Sequence, residues 1–268
     1  MSAPRLLVLG GGRIGGALLG GLLRSGWAAI EDVVVIEKRP EARELLAERY
    51  GDHLTVLDKP IDAEAAVLAV KPSDLVAACM ALRTARYSRV LSVVAGATIE
   101  TLEAELWPGA SVVRAMPNTP ALLGMSASAI AGGSNASEVD LEWAEGVLSS
   151  IGVVVRLPES LIDGATGLSG SGPAYVFLIA EALIDAGVLA GLDREVSRLL
   201  SVQTILGAAH MLAESGETPQ ALRAAVTSPG GTTAAGIRAL ERAGLRAAFF
   251  EAVMAAKERA GELGTQFT

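Results

Sequence analysis

The stretch LLVLGGGRIGGAL, residues 6–18, decides how the first part of this chain folds. Its apolar start predicts a short strand, and the apolar spacing after the glycines predicts a helix. Gly10, Gly12 and Gly15 lie between the two, where they permit a tight turn, close approach of a pyrophosphate and close packing of the helix on the strand. N–H groups at the start of the helix favour an anion. We therefore predict a dinucleotide site, with a purely structural glycine turn as the alternative. The residues assigned to this site are Gly10, Gly11, Gly12, Arg13 and Ile14.

The first half of the chain continues this alternation of strand and helix. Strands are predicted at residues 6–9, 33–36, 67–70, 90–94 and 111–116, with a last pair around 127–133 and 153–157. Helices are predicted at residues 14–25, 40–50, 73–85, 98–106 and 138–150. The strands are almost continuously apolar, which is typical of a buried parallel sheet. The pattern predicts an α/β, Rossmann-like doubly wound domain over residues 1–157.

The strand signal disappears after this point, and residues 158–268 are predicted to form an all-α domain. Pro173 near a first turn, Asp193 as an N-cap, and Thr218 followed by Pro219 mark the starts of three helices. Two further helices follow residue 233. Several of these helices are apolar nearly all round, which predicts either a tight bundle or a partner subunit.

Composition excludes several classes of function. A net charge of −8 argues against nucleic acid as a partner. The single cysteine, Cys79, lies in an apolar helical run, which indicates a structural thiol and a reducing compartment. His53 and His210 are far apart, so no metal site is predicted. The start of the chain lacks a signal-peptide pattern, and prolines and glycines interrupt the longest uncharged run. We expect a cytoplasmic protein with no membrane partner.

The end of the second strand carries conflicting signals about the cofactor. Glu37 stands where an acidic residue would hydrogen-bond a ribose hydroxyl, which favours NADH. Lys38 and Arg39 follow directly and could hold a 2′-phosphate, which favours NADPH. A third interpretation is that Lys38 and Arg39 are ordinary solvated charges.

Later strand ends supply further cofactor candidates, because ligands of such sheets lie beyond the carboxyl ends of the strands. Asn118 in RAMPNTP could hydrogen-bond a carboxamide, although a turn-forming role before Thr-Pro is nearly as good an interpretation. The other candidates are Ala69, Val70, Lys71 and Pro72 in LAVKP, and Ala95 and Gly96 in VVAG.

A loop of small residues, TSPGGTTAAG at residues 227–236, interrupts the helical half. Its backbone N–H groups and hydroxyls can turn inward as an anion nest. The alternative is an ordinary turn with a threonine capping the next helix. The residues assigned to a substrate carboxylate are Ser228, Gly230, Gly231, Thr232 and Thr233.

Six motifs together carry a family resemblance: GGGRIGGAL, LAVKP, VVAG, VVRAMPNTP, TGLSGSGPAY and SPGGTTAAG. In this order and spacing the chain resembles the pyrroline-5-carboxylate reductases. The resemblance implies hydride transfer from NAD(P)H, more often NADPH, to the C5=N bond of L-1-pyrroline-5-carboxylate. The product is L-proline, in the last step of proline biosynthesis. It also implies helical domains that interlock into dimers and commonly assemble into decamers. Two departures are Arg13, where relatives often carry Asn or Gln, and the run Glu37-Lys38-Arg39.

The resemblance also implies roles for the loop. The Gly-Gly-Thr-Thr backbone would cradle the substrate carboxylate, Thr233 would reach the imine nitrogen as a hydrogen-bond donor, and Ser228 would orient the loop. A threonine hydroxyl is a poor acid, so water or a protonated substrate is an alternative source of the proton. TGLSGSGPAY would line the active site, and Glu159 is a weaker candidate for touching the cofactor.

Two other functions stay open from the sequence. A hydroxyacid dehydrogenase of the 6-phosphogluconate type needs a lysine on the first helices of its second domain, but the only lysine after residue 157 is Lys257. A non-catalytic nucleotide sensor would keep the fold, but it would not need a complete substrate loop.

Overall fold

The computed structural model describes residues 4–265 as two compact units. One unit runs to Ser171 and takes up the chain again from Met254, and the other is Gly172–Val253. The division therefore falls inside the last helix. The domain boundary predicted between residues 157 and 158 separates a cofactor-binding part from a substrate-binding part. The two units are defined by compactness alone, so that boundary stays a prediction.

The first unit contains one sheet of eight strands. The strands are β1 (Leu6–Leu9), β2 (Val33–Ile36), β3 (Thr55–Leu57), β4 (Ala65–Leu68), β5 (Arg89–Ser92), β6 (Ser111–Met116), β7 (Ser126–Gly132) and β8 (Gly152–Arg156). Their order is β3-β2-β1-β4-β5-β6-β7-β8. The first six strands are parallel, β7 is antiparallel to β6, and β8 is parallel to β7. The order of the first six is that of a dinucleotide-binding sheet, which confirms the predicted fold class.

Helices cover both faces of this sheet. They are α1 (Arg13–Arg24), α2 (Pro40–Tyr50), α3 (Leu75–Leu82), α4 (Ile99–Glu105), α5 (Glu138–Ser149) and the short α6 (Ile162–Ala165). Leu18 and Leu148 belong to the apolar cluster on one face, and Leu75 and Leu102 to the cluster on the other. All four side chains are fully buried. Burial on both faces explains why β1, β2 and β4 are continuously apolar.

Several predicted boundaries are wrong by a few residues. β4 begins at Ala65 rather than residue 67, because Ala65 and Ala66 pair with Leu6 and Leu7 of β1. β5 ends at Ser92, whose hydroxyl accepts a hydrogen bond from the backbone N–H of Val94 at 3.4 Å and turns the chain. α3 covers less than the predicted 73–85, since a 3-10 turn at Pro72–Asp74 precedes it. β3 was missed because three residues show no usable period.

The second unit is helical, and the described residues from 157 onward contain no strand. Its helices are α7 (Gly172–Leu189), α8 (Arg194–Glu214), α9 (Pro219–Ala225) and α10 (Thr232–Arg242), with α11 (Leu245–Gly264) shared between the units. Asp193 and Thr218 cap α8 and α9 with their side chains, as their positions in the sequence predict.

Apolar side chains stand exposed on α7 and α8. Phe177 is 63% exposed, Leu178 65% and Leu199 62%. The helical stretch Glu159–Leu189 is long and apolar enough to cross a membrane, with a mean hydropathy of 1.6. A single stretch of this kind is weak evidence for a membrane protein, because it rests on length and composition alone.

Candidate active site

The loop between β1 and α1 forms a cradle that only glycine fits. Gly10 has φ +103°, and a Cβ there would lie 2.5 Å from the carbonyl oxygen of Ala69. A Cβ on Gly15 would lie 1.9 Å from the carbonyl oxygen of Gly10. Gly12 is the N-cap of α1 and supplies no side-chain cap, so the N–H groups of the first turn remain available to an anion. The residues present therefore fit the pyrophosphate of a dinucleotide.

A cleft of about 470 Å³ opens at this cradle. It brings together nine of the residues predicted to hold a cofactor, and they are Gly10, Gly12, Arg13, Ile14, Glu37, Arg39, Ala69, Val70 and Lys71. Asp74 and Val93 complete the lining, and neither was predicted. Pro72 lies directly after this lining, at the start of the 3-10 turn. Asp74 ends that same turn, so following LAVKP two residues further would have found it.

A second cavity of about 350 Å³ continues from the cleft. Lys38 lines this cavity, and so do three small residues of α3, Ala77, Ala78 and Ala81. Pro60 also lines this cavity, and no motif in the sequence pointed to it. The two cavities share Gly10, Glu37, Arg39, Val70 and Asp74.

Glu37 and Arg39 form an ion pair between these cavities. The Glu37 carboxylate accepts hydrogen bonds from the backbone N–H groups of Gly11 at 3.1 Å and Arg39 at 2.9 Å. It also accepts from Arg39 Nε at 3.1 Å and Nη2 at 3.0 Å. Burial raises the pKa of Glu37, but these hydrogen bonds and the charge of Arg39 outweigh it and hold the pKa below its ordinary value. Glu37 is 5% exposed, whereas the Arg39 side chain is 57% exposed.

Ala95 and Gly96 line a different cavity, of about 200 Å³. Its other walls include Arg114 from β6, Asp163 from α6, Thr166 and Ser171, with Arg259 and Leu263 from the end of α11. A Cβ on Gly96, which has φ +77°, would lie 3.3 Å from Leu263. The structure therefore groups these two predicted residues with TGLSGSGPAY rather than with the glycine loop.

Arg114 links three segments around this small cavity. Its guanidinium donates to Glu159 Oε1 at 3.0 Å and to Asp163 Oδ1 at 3.2 Å. The same Glu159 oxygen accepts from the backbone N–H of Ile99 at 2.7 Å, at the start of α4. The Arg114 side chain is 8% exposed. RAMPNTP was singled out in the sequence, but nothing in its pattern indicated that its first residue would meet Glu159 and Asp163.

The side-chain amide of Asn118 makes hydrogen bonds to two other backbone groups of the protein. Its Nδ2 donates to the backbone oxygen of Ser169 at 2.9 Å, and its Oδ1 accepts from the N–H of Ala127 at 3.0 Å. Ser169 belongs to a π-helical turn, Thr166–Gly170. A contact between Asn118 and a carboxamide therefore stays a prediction, with both ends of its amide already paired.

The predicted substrate loop lies in the second unit. The N–H of Gly231 donates to Ser228 O at 3.1 Å, and Gly230 has φ +72°. α10 then begins at Thr232 with Gly231 as N-cap and no side-chain cap, so the alternative of a capping threonine does not apply. The N–H groups of Thr232 and Thr233 have no intrahelical partners, as at any helix start. A Cβ on Gly231 would lie 2.4 Å from Ser228 Oγ, so a larger residue there would make the serine side chain turn away.

Other titratable groups in the described residues lie away from these cavities. Burial raises the pKa of the Cys79 thiol to about 12, as expected of a structural cysteine. His210 pairs with Glu214 on the exposed side of α8. Between residues 4 and 265 the structure holds no group of three or more side chains suited to a metal ion.

Comparison with known proteins relates this geometry to a family. A family model described as pyrroline-5-carboxylate reductase dimerisation matches residues 159–263. The pyrroline-5-carboxylate reductase of Mycobacterium tuberculosis is 44% identical over 285 residues, covering 97% of this chain and 96% of that protein. The chain belongs to the pyrroline-5-carboxylate reductase family. The resemblance drawn from the six motifs is confirmed, and with it the class of enzyme, an NAD(P)-dependent oxidoreductase.

Further members of this family match over their full length. The pyrroline-5-carboxylate reductase of Methanosarcina acetivorans is 40% identical, covering 98% of this chain and 99% of that protein. The reductase of Coxiella burnetii has a structure with a TM-score of 0.91 and 33% identity, covering 98% and 99%. That of Plasmodium falciparum, solved with NADP bound, has a TM-score of 0.82 and 29% identity, covering 98% and 99%. A second family model, described as NADP oxidoreductase, coenzyme F420-dependent, matches residues 5–96.

The reductase family also explains the apolar helices. The dimerisation match covers α7 and α8, where large apolar side chains are exposed in the single chain. A contiguous exposed apolar surface marks an interaction site. The chain therefore self-associates through its helical part.

Proposed function

We propose that this chain reduces the C5=N bond of L-1-pyrroline-5-carboxylate with NADPH and forms L-proline, the last step of proline biosynthesis. The observation that carries the proposal is the 44% identity to a pyrroline-5-carboxylate reductase over 97% of the chain. The glycine cradle, which a Cβ would fill, supports the use of a dinucleotide. When bound, the cofactor supplies the hydride.

The first unit would bind and orient the cofactor. Gly12 and the first turn of α1 would present backbone N–H groups to the pyrophosphate, with Arg13 adding a charge. The N–H groups of Gly10 and Gly11 already donate to Ile36 O and Glu37, so these two glycines would instead let the backbone approach the cofactor closely. Ala69, Val70, Lys71 and Pro72 would border the cleft beside it. Ala95 and Gly96 would leave space at the reacting end.

The second unit would hold the substrate. The N–H groups at the start of α10 face an anion favourably because the helix dipole is positive there. Gly230, Gly231 and Thr232 would hold the carboxylate, with Ser228 fixing the turn. Thr233 would donate a hydrogen bond to a neutral imine nitrogen, with water supplying the proton, or would accept one from the N–H of a substrate that arrives protonated.

We propose NADPH rather than NADH on the basis of the Glu37–Arg39 pair. Four hydrogen bonds already occupy the Glu37 carboxylate, so ribose hydroxyls would have to displace Arg39 from it. The exposed Arg39 guanidinium, with Lys38, suits a 2′-phosphate, because arginine binds phosphate through paired N–H groups. NADH would bind more weakly, since it has no group to compensate for disturbing the pair.

Steady-state kinetics with both cofactors test this preference. Arg39→Gln should lower kcat/KM for NADPH by about 10- to 100-fold, the value of one charge-assisted contact, and change the value for NADH far less. Arg43→Gln removes a similar charge from the same helix and serves as the control. Equal losses for both cofactors in Arg39→Gln would count against a 2′-phosphate contact.

We further propose a cytoplasmic homo-oligomer built from dimers, with the decamer as its full assembly. A second copy of the chain would cover the apolar faces of α7 and α8 and shield them from water, so these helices would not have to lie in a membrane. Light scattering on the purified protein decides the assembly, and a monomer or a requirement for detergent would contradict it.

The test of the substrate loop is the oxidation of NADPH with L-1-pyrroline-5-carboxylate by wild type and Thr233→Ala. The variant should lose most of its kcat/KM, because it removes the hydroxyl that would hydrogen-bond the imine nitrogen. Thr84→Ala removes an exposed hydroxyl that caps the end of α3 and should leave the rate unchanged. Wild-type turnover with an unaffected Thr233→Ala would support the reaction and exclude the role of Thr233.

A further inference from the structure

The π-helical turn Thr166–Gly170 carries a carbonyl, that of Ser169, for which the helix offers no α-helical N–H donor. In an α-helix the oxygen of Ser169 would accept from the N–H four residues on. That residue is Pro173, which has no N–H. The turn itself is closed by the Ser171 N–H, which donates to Thr166 O at 2.9 Å. Turns of this kind are frequent at functional sites.

Asn118 supplies the missing donor. Its Nδ2 lies 2.9 Å from Ser169 O, and the amide is held in place from the other side by the Ala127 N–H. The backbone N–H of Asn118 in turn donates to Ser126 Oγ at 3.2 Å. One side chain thus joins the end of β6, the start of β7 and the π-helical turn.

Arg114, four residues before Asn118 in the chain, makes a second contact to the segment that leads into the π-helical turn. Arg114 holds Glu159 and Asp163, and Glu159 also binds the first N–H of α4, directly after the loop that contains Ala95 and Gly96. Thr166 and Ser171, at the two ends of the turn, line the cavity of about 200 Å³ with Ala95 and Gly96. The position of this wall therefore depends on β6.

We propose that Asn118 is a positioning residue that holds the π-helical turn against β6 and so sets the wall of the cavity beside Ala95 and Gly96, at the proposed reacting end of the cofactor, rather than a contact to the cofactor. The proposal rests on the proposed function for its substrate, but the contact between Asn118 and Ser169 can be tested without turnover. Loss of the amide donor frees the turn, and the distance between Thr166 and Gly96 is no longer fixed.

The first test is Asn118→Asp, which keeps the acceptor for Ala127 and replaces the donor to Ser169 O with a second acceptor. Asn135→Asp is the matched control, because Asn135 lies on the surface and its amide meets only Ser134. We expect kcat/KM for the imine to fall on the order of 100-fold, since a misplacement of about 1 Å costs this much. KM for the imine should rise, while the dissociation constant of NADPH stays within a factor of about two.

The KM separates positioning from simple loss of folded protein, which lowers kcat in proportion and leaves KM unchanged. A weaker NADPH affinity with an unchanged imine KM would overturn the proposal and make Asn118 a cofactor contact. Unchanged values for both ligands would also overturn it.

Hydrogen exchange gives a readout that does not need the reaction. Amides of residues 166–171 should exchange faster in Asn118→Asp than in wild type or Asn135→Asp, and equal exchange would refute the clamp. A wild-type protein that shows no turnover would contradict the proposed function, but the comparison of exchange rates would still test the contact between Asn118 and Ser169. If Asn118→Asp does not fold, Arg114→Lys loosens the same segment. Arg89→Lys is its control, because Arg89 lies at the start of the neighbouring strand β5 and pairs with Asp140 instead.

Discussion

Replacing Gly15 with alanine tests the cradle that carries the nucleotide assignment. The new Cβ would lie 1.9 Å from Gly10 O, whereas contacts under 3.0 Å essentially do not occur, so the two atoms must separate by about 1 Å. Gly10 cannot move freely, because its N–H donates to Ile36 O at 2.9 Å and its α-carbon faces the Ala69 carbonyl. The strain falls on the loop that would hold the pyrophosphate.

The expected loss is large for the cofactor and moderate for stability. A shift of about 1 Å in a binding group costs on the order of 100-fold, which we expect in the dissociation constant of NADPH. Overpacking of this size destabilises a protein by about 1–3 kcal/mol, which leaves a folded domain in which binding can be measured.

Gly16→Ala is the matched control one residue further along α1. Its Cβ would lie 3.8 Å from its nearest neighbour outside α1, the oxygen of Gly11, an ordinary contact. Alanine in a helix should then stabilise the protein by up to about 1 kcal/mol. The assay is titration of NADPH fluorescence for both variants, with thermal unfolding alongside. NADPH affinity in Gly15→Ala equal to that of Gly16→Ala would refute the cradle.

Two further predictions concern titratable groups. Because burial raises the pKa of Cys79 to about 12, native protein at pH 8 should resist alkylation by iodoacetamide, whereas denatured protein should react. Mass spectrometry of the intact chain measures the modification. Modification of the native protein at the rate of a free thiol would contradict the burial of Cys79. Burial raises the pKa of Asp140, but hydrogen bonds from Ser137 and the charge of Arg89 hold it below 3.8. The ionised Asp140 therefore stabilises the folded protein fully above the unfolded-state pKa of 3.8, and this stabilisation is lost as the pH falls through the lower folded-state pKa. We expect the free energy of unfolding, measured in urea, to fall between pH 5 and pH 3 less steeply in Asp140→Asn than in wild type.

The fold could be predicted from the sequence because its signals are local. Leu6–Leu9 followed by Gly10, Gly12 and Gly15 fixes a strand, a turn and a helix within a few residues. The capped starts of α8 and α9 are equally local, since Asp193 and Thr218 bond to N–H groups two or three residues away. Strand boundaries were less accurate, because pairing with neighbours decided where β4 and β5 begin and end.

The site was only partly predictable, because its decisive contacts join distant residues. Glu37 and Arg39 were two opposing cofactor signals in the sequence, and in the structure they neutralise each other. Arg114 meets Asp163 across 49 residues, and Asn118 meets Ser169 across 51. No periodicity or motif spacing encodes such pairs. The absence of an N–H at Pro173 was readable from the sequence, but the donor that replaces it was not.

The reaction itself can be tested by following cofactor and product together in one sample. Purified wild-type protein is incubated with NADPH and L-1-pyrroline-5-carboxylate, NADPH loss is read by absorbance, and L-proline is quantified by mass spectrometry. We predict that one L-proline forms for each NADPH oxidised and that neither changes without the imine. Folded protein that binds NADPH but forms no L-proline would contradict the account.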